Sequence, residues 1–159
     1  MKWRMADVID EVEPWRRIAG RKAVSLEEYD LLRPLGRPGV CPESLLIESA
    51  VAFGRWLVVK SSEFTESALL DEVTGWKVHQ PTGRGSWVQV VVTVESTTPQ
   101  ELAVLAELTD AAGNPVATGR LRLRKVPLAE LVDPETLRLL WTELHRKNAS
   151  RQGAKYNDL

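Results

Sequence analysis

The stretch "PESLLIESAVAFGRWLVVK", Pro42 to Lys60, constrains this chain most. Its periodicity is helical, and Leu45, Leu46, Ile47, Ala50, Val51, Ala52, Phe53, Leu57 and Val58 cover nearly the whole circumference. A helix apolar on all sides is a buried helix. Pro42 stands at its first turn, where a missing N–H costs nothing. The rest of the chain must therefore build a cover for it.

After the helix the chain turns strand-like. "ALLDEVTGWKVHQ", "SWVQVVVTVES", "ELAVLAELTD" and "PVATGRLRLRKVPL" are rich in β-branched and alternating apolar residues, and "AAGNP" joins the last two as a hairpin turn. In "ATGRLRLRKV", Leu121, Leu123 and Val126 nearly alternate with Arg120, Arg122 and Arg124, as in a sheet with one wet face. Before the helix, "DVIDEVEPWRRIAGRKAVS" reads as two extended pieces with a turn near Pro14. Ser25 with Glu28 has capping-box spacing for a short helical turn, and Arg33 to Cys41 is a Pro/Gly loop. "DPETLRLLWTELHRK" predicts an amphipathic helix from Asp133, and residues 149–159 a flexible tail. One buried helix and one antiparallel sheet that wraps it give an α+β layout.

Bulk properties narrow the function. The 159 residues suffice for one domain with a real core. A formal net charge of −1, from 21 basic and 22 acidic residues, leaves no footprint for nucleic acid or an anionic membrane. A single cysteine, Cys41, excludes an internal disulfide framework and suits a reducing compartment. "MKWRMADVID" lacks the apolar run of a secretory leader, so a cytoplasmic location is expected. Leu45 to Val59 is broken by Glu48 and Arg55 and is too short to span a bilayer. No Cys/His cluster points to a metal.

Glu48 is the anomaly. Its helix neighbours Ser44, Leu45, Val51 and Ala52 offer no charge partner. A buried carboxylate must take up a proton or be paired from elsewhere. An acid in an apolar setting is a candidate functional group, and a carboxylate that reaches solvent or a dimer edge is the alternative.

The loop and helix, "GRP" followed by "PESLLIESA", resemble the signature of the 3-hydroxyacyl-acyl-carrier-protein dehydratases of the FabZ/FabA type. There a His-Phe-Pro-Gly-x-Pro loop leads into the central helix and its glutamate. "VIDEVEP", "RIAGRKAVSLEEY" and "DAAGNPVATGRLRL" resemble other segments of that family in the same order. The resemblance covers about residues 7 to 130. It implies a hotdog fold over residues 1–132, with the C-terminal helix at 133–148 appended. It also implies a homodimer, or a higher assembly of dimers, with acyl tunnels at the interface. The substrate would ride on phosphopantetheine or CoA, with no cofactor. Acyl carrier protein and a hetero-partner hotdog subunit are further implied partners, whereas nucleic acid and membrane are not.

In such enzymes a histidine removes the α-proton, the helix carboxylate protonates the leaving hydroxyl, and a backbone N–H at the helix start polarises the thioester carbonyl. Glu48 matches the carboxylate. The histidine position falls on Arg33, which stays protonated and cannot be the base. Between Pro38 and Pro42 this chain has one residue more than the family pattern, and Glu43 stands where the carbonyl-binding glycine is expected. Arg33, Gly39, Val40, Cys41 and Glu43 are thus the substrate-binding candidates of the loop. Arg84, in "TGRGSW", joins them as a basic group for a phosphate or an acidic carrier protein. That Gly-rich turn is not a phosphate loop, because it lacks GK[ST] and leads into a strand.

The two histidines, His79 at a strand end and His145 on the last helix, read as exposed. Cys41 has no histidine in its local sequence to activate it and reads as a loop residue. Six tryptophans supply core or interface mass. Three functions stay open. One is a dehydratase with Glu48 as its acid and an atypical or partner-supplied base. The second is a thioesterase using Glu48 and a water. The third is a non-catalytic acyl-binding or assembly subunit in which Arg33 pairs Glu48.

Overall fold

A computed structural model describes residues 5–24, 40–83 and 85–154, with side chains as far as Leu144. Six strands form one antiparallel sheet: β1 (Val8–Glu13), β2 (Arg17–Ala23), β3 (Glu66–Val78), β4 (Trp87–Thr97), β5 (Glu101–Thr109) and β6 (Pro115–Pro127). Their spatial order is β1-β2-β4-β5-β6-β3. The long helix α1 (Glu43–Ser61) sits between β2 and β3 in sequence, and a 3-10 turn at Leu128–Glu130 leads to the C-terminal helix α2 (Pro134–Ala154). The α+β layout expected from the pattern is the one observed.

The strands form where the period-2 pattern predicts them. Val88, Val90 and Val92 of β4, the even-numbered residues Leu102 to Leu108 of β5, and Leu121 and Leu123 of β6 are all buried. Registers such as Val90↔Leu108, Val104↔Leu121 and Leu70↔Leu123 place these rows side by side on the inner face. On the outer face Arg120, Arg122 and Arg124 meet Glu95, Glu72 and Asp71 at 2.9, 3.1 and 3.3 Å. That row is a charge-balanced wet face and offers no basic patch. The β5–β6 hairpin closes on Asp110, whose Oδ1 accepts from the N–H groups of Ala112 and Asn114 at 3.0 and 2.9 Å. The backbone N–H of Asn114 is the chief cause that holds the Asp110 carboxyl below its usual value.

Helix α1 lies on the inner face. Phe53 and Leu57 are fully buried against the sheet. One close approach is at Gly54, where a Cβ would stand 2.6 Å from Leu123 Cδ1. At Gly20 a Cβ would meet Phe53 Cε1 at 2.5 Å and the Val8 carbonyl oxygen at 2.2 Å. Two glycines thus set how deeply the helix sinks into the sheet.

Helix α2 starts as its sequence predicts. Asp133 Oδ2 accepts from the Thr136 N–H at 3.2 Å and its hydroxyl at 3.0 Å, an N-cap just before Pro134. The helix runs on through Ala154, past the Asn148 limit set by the sequence pattern. Its apolar side, Leu137, Leu140, Trp141 and Leu144, faces the core, and Leu144 is buried. The α1 surface that the sheet leaves uncovered is therefore partly roofed by α2.

Candidate functional site

Glu48 departs from the sequence expectation. It is not buried on the protomer; it is exposed, as are Glu43 and Ser44. The sheet covers only one side of α1. The side turned away carries Ser44, Glu48, Ala52, Arg55 and Val59, spaced three or four residues apart along a single stripe. Counting apolar residues around the helix does not reveal this stripe, because Ala52 and Ile47 count as core while standing half-exposed. Among the described residues no cation lies within salt-bridge distance of the Glu48 carboxylate.

Among the described residues no side chain caps the start of α1. Pro42 occupies the N-cap position, one place before the first helical residue, with φ −60° and ψ 142°. Its carbonyl already accepts from Leu45 and Leu46 at 3.0 and 3.4 Å. The N–H groups of Glu43 and Ser44 point out of the first turn, with no acceptor among the described residues. Cys41 is anchored just upstream, its N–H donating to the Thr82 carbonyl at 2.7 Å. Its thiol is half-buried and lies 3.8 Å from the Pro42 carbonyl oxygen. Val40 is half-buried. Arg33, Gly39 and Arg84 lie outside the described residues, as does the side chain of His145. The expected Arg33–Glu48 pairing and the Ser25–Glu28 helical turn therefore lie there too. His79 is exposed at the end of β3, its Nε2 2.9 Å from Thr118 Oγ1.

Further along the stripe the surface turns inward. Ala52, Arg55, Trp56 and Val59 line a cavity of about 740 Å³ between α1, β3, the N-terminal segment at Met5–Ala6 and α2. The opposite walls are Leu69 of β3 and Leu131, Leu137, Leu140 and Leu144 from the C-terminal segment. Ser49, one residue after Glu48 and buried, ties the N-terminal segment to α1 by donating to the Met5 carbonyl at 2.8 Å. Trp56 and Trp141 make a tilted pair with centroids 5.5 Å apart. Lys60 lies 4.6 Å from the Trp141 ring centroid and 5.5 Å from that of Phe64. Sequence reasoning found neither Arg55 nor this cavity. The available signal was the placement of Arg55 seven residues after Glu48, hence on the same face.

One mixed helix cradled by a six-stranded antiparallel sheet is also the arrangement of known structures. The fold is the hotdog fold. The chain is similar to Smu.793 of Streptococcus mutans bound to acetyl-CoA, with a TM-score of 0.62, 10% identity, and 76% of this chain and 88% of that one covered. It is similar to a hypothetical thioesterase of Streptococcus pneumoniae with coenzyme A, at TM-score 0.59 and 9% identity over 75% and 84%. It is also similar to thioesterase HI1161 of Haemophilus influenzae, at TM-score 0.61 and 14% identity over 79% and 81%. No family model matches the chain, and no curated protein matches it in sequence. The resemblance to FabZ/FabA-type dehydratases therefore extends, in structure, only to the hotdog fold. Two of these three similar structures carry the name thioesterase.

Proposed function

We propose that this chain hydrolyses an acyl thioester, with Glu48 as the group that activates water. The observation that carries this reading is the α1 stripe. A carboxylate with no cation near it among the described residues stands at the open end, and a largely apolar cavity of acyl-chain character begins one turn further on. Pockets of this size and lining hold small apolar ligands fixed by a few polar groups.

Glu48 accepts a proton from water as the water oxygen attacks the thioester carbonyl. The C–S bond then breaks, the proton passes to the departing thiolate, and a carboxylic acid and a free thiol result. The N–H groups of Glu43 and Ser44, one turn before Glu48, are the donors for the oxyanion. The reaction consumes only water and needs no cofactor. Dehydration, by contrast, requires a base besides Glu48. Arg33 cannot supply it, and His79 is engaged with Thr118. A second copy of the chain completes the site in this reading. Among the described residues strand β3 pairs only with β6, which leaves its outer edge available to extend the sheet.

The test offers crotonyl, 3-hydroxybutyryl and longer acyl thioesters to the purified protein and to Glu48→Gln. It follows free-thiol release and hydration together. The expected result is thiol release that falls by roughly 10²- to 10⁴-fold in the variant, the usual worth of a positioned acid–base group. Reversible hydration without thiol release would restore the dehydratase. Silence in both channels, with the thioester still bound, would make the chain a binding subunit.

A further inference from the structure

We propose that the cavity between α1, β3 and α2 is a binding site for an aliphatic carboxylic acid. The tail lies among the leucines and the carboxylate sits on the Arg55 guanidinium. The cavity walls are almost wholly apolar, with Trp56, Val59, Leu69, Leu137, Leu140 and Leu144. Among the described residues that line it Arg55 is the cation, and it is half-buried. Its Nε donates to the Ala68 carbonyl at 3.0 Å, which fixes the plane of the guanidinium between α1 and β3. No carboxylate among the described residues reaches its remaining donors. Glu48, on the same stripe, is two helical turns away, about 10 Å along the axis.

A half-buried guanidinium without an anion, beside apolar surface, is an incomplete arrangement. It is completed by a ligand that supplies one carboxylate and a hydrocarbon body. The fork of two Nη groups matches a carboxylate in bidentate geometry, and fixing Nε in advance reduces what must be ordered on binding. A neutral lipid would leave the cation unpaired. Ser67, also lining the cavity and buried, carries a further neutral hydroxyl.

Two sources share this chemistry. One is a free monocarboxylic acid. The other is the far carboxylate of a dicarboxylic acyl thioester whose reacting end stands at Glu48. Only the second rests on the hydrolase reading; binding of the free acid does not depend on it.

The experiment measures binding of dodecanoate and dodecanol to the full chain by calorimetry and by tryptophan fluorescence, since Trp56 lines the cavity. Saturable binding of dodecanoate is expected, at least tenfold tighter than dodecanol and weakened by salt. In Arg55→Gln that preference should vanish, and Arg55→Lys should keep part of it. Leu140→Trp, which fills the cavity, should weaken both ligands together. Comparing hexanedioyl-CoA with hexanoyl-CoA separates the sources. Tighter binding of the diacid thioester, lost in Arg55→Gln, assigns the far carboxylate. Equal binding of the two assigns the free acid. Absence of saturable dodecanoate binding overturns the proposal. So does an acid-to-alcohol ratio that is near one in the native protein or unchanged in Arg55→Gln. Should Arg55→Gln fail to fold, the native ratio, its salt dependence and Arg55→Lys decide.

Discussion

Gly54→Ala tests how α1 is seated, and two effects of opposite sign compete there. In a helix interior alanine is favoured over glycine by about 1 kcal/mol. At this position, however, a Cβ would stand 2.6 Å from Leu123 Cδ1, closer than real Cβ contacts come. Leu123 is fully buried between β5 and β3, so its side chain has little room to move aside. Overpacking of this kind costs roughly 1–3 kcal/mol. The net expectation is a loss of about 1 kcal/mol, read as a lowered urea midpoint at unchanged slope. A drop of roughly 2–4 °C in Tm should accompany it for a domain of this size. The double mutant with Leu123→Ala sharpens the test. Leu123→Ala alone should cost about 2–5 kcal/mol, but the methyl introduced at position 54 then enters the vacated space. The pair should be less destabilised than the sum of the singles, with a coupling of about 1 kcal/mol or more. If Gly54→Ala stabilises the protein by the full propensity gain and the cycle shows no coupling, the seating of α1 on Leu123 is wrong.

Two further substitutions probe elements around the site. Asp133→Ala removes both acceptor contacts at the start of α2 and should cost about 1 kcal/mol, with faster amide exchange in the first turn beside the cavity. Asp110→Ala should lower Tm at neutral pH. Because the folded carboxyl is held below its usual value, its contribution is present above the unfolded carboxylate pKa. That contribution is lost as pH falls through the folded value. The Tm gap between the native protein and the variant should therefore close on acidification, and a gap constant down to about pH 2 would refute the assignment.

Much of the scaffold is legible in the sequence because its signals are local. Alternation in β4, β5 and β6 shows which residues face inward, and the hairpin turn and the Asp133–Pro134 cap carry their own chemistry. The arginine row reads as a wet face from period alone, and the structure supplies its acidic partners on neighbouring strands. Glu48 stands out in the sequence as an anomaly, but its exposure does not. Helical periodicity reports which residues could be covered, whereas the cover itself comes from elements distant in sequence. Leu144 and Leu69 form one cavity with Ala52 only because α2 folds back over α1. Nothing within the α1 sequence announces that.

The same reasoning explains why Glu48 is conspicuous in the sequence and Arg55 is not. The two interrupt one apolar segment with opposite charges, and a surface helix would let such charges compensate each other. Seven residues apart they share a face but not a contact, being about 10 Å apart along the axis. Each must therefore find its partner outside the helix. The sheet gives Arg55 only a backbone carbonyl, at Ala68, and gives Glu48 nothing among the described residues. The result is a polarity gradient along the stripe, negative at the open end and positive inside the cavity. In the proposed site a ligand carboxylate is repelled from the first position and held at the second. In the proposed reaction a neutral thioester carbonyl is accepted at the first, where the helix-start N–H groups also point. Orientation along α1 is thus set by two charges that cannot neutralise one another. Exchanging them, as Glu48→Arg with Arg55→Glu, should reverse the preference for acid over alcohol in the cavity while leaving the apolar contacts in place.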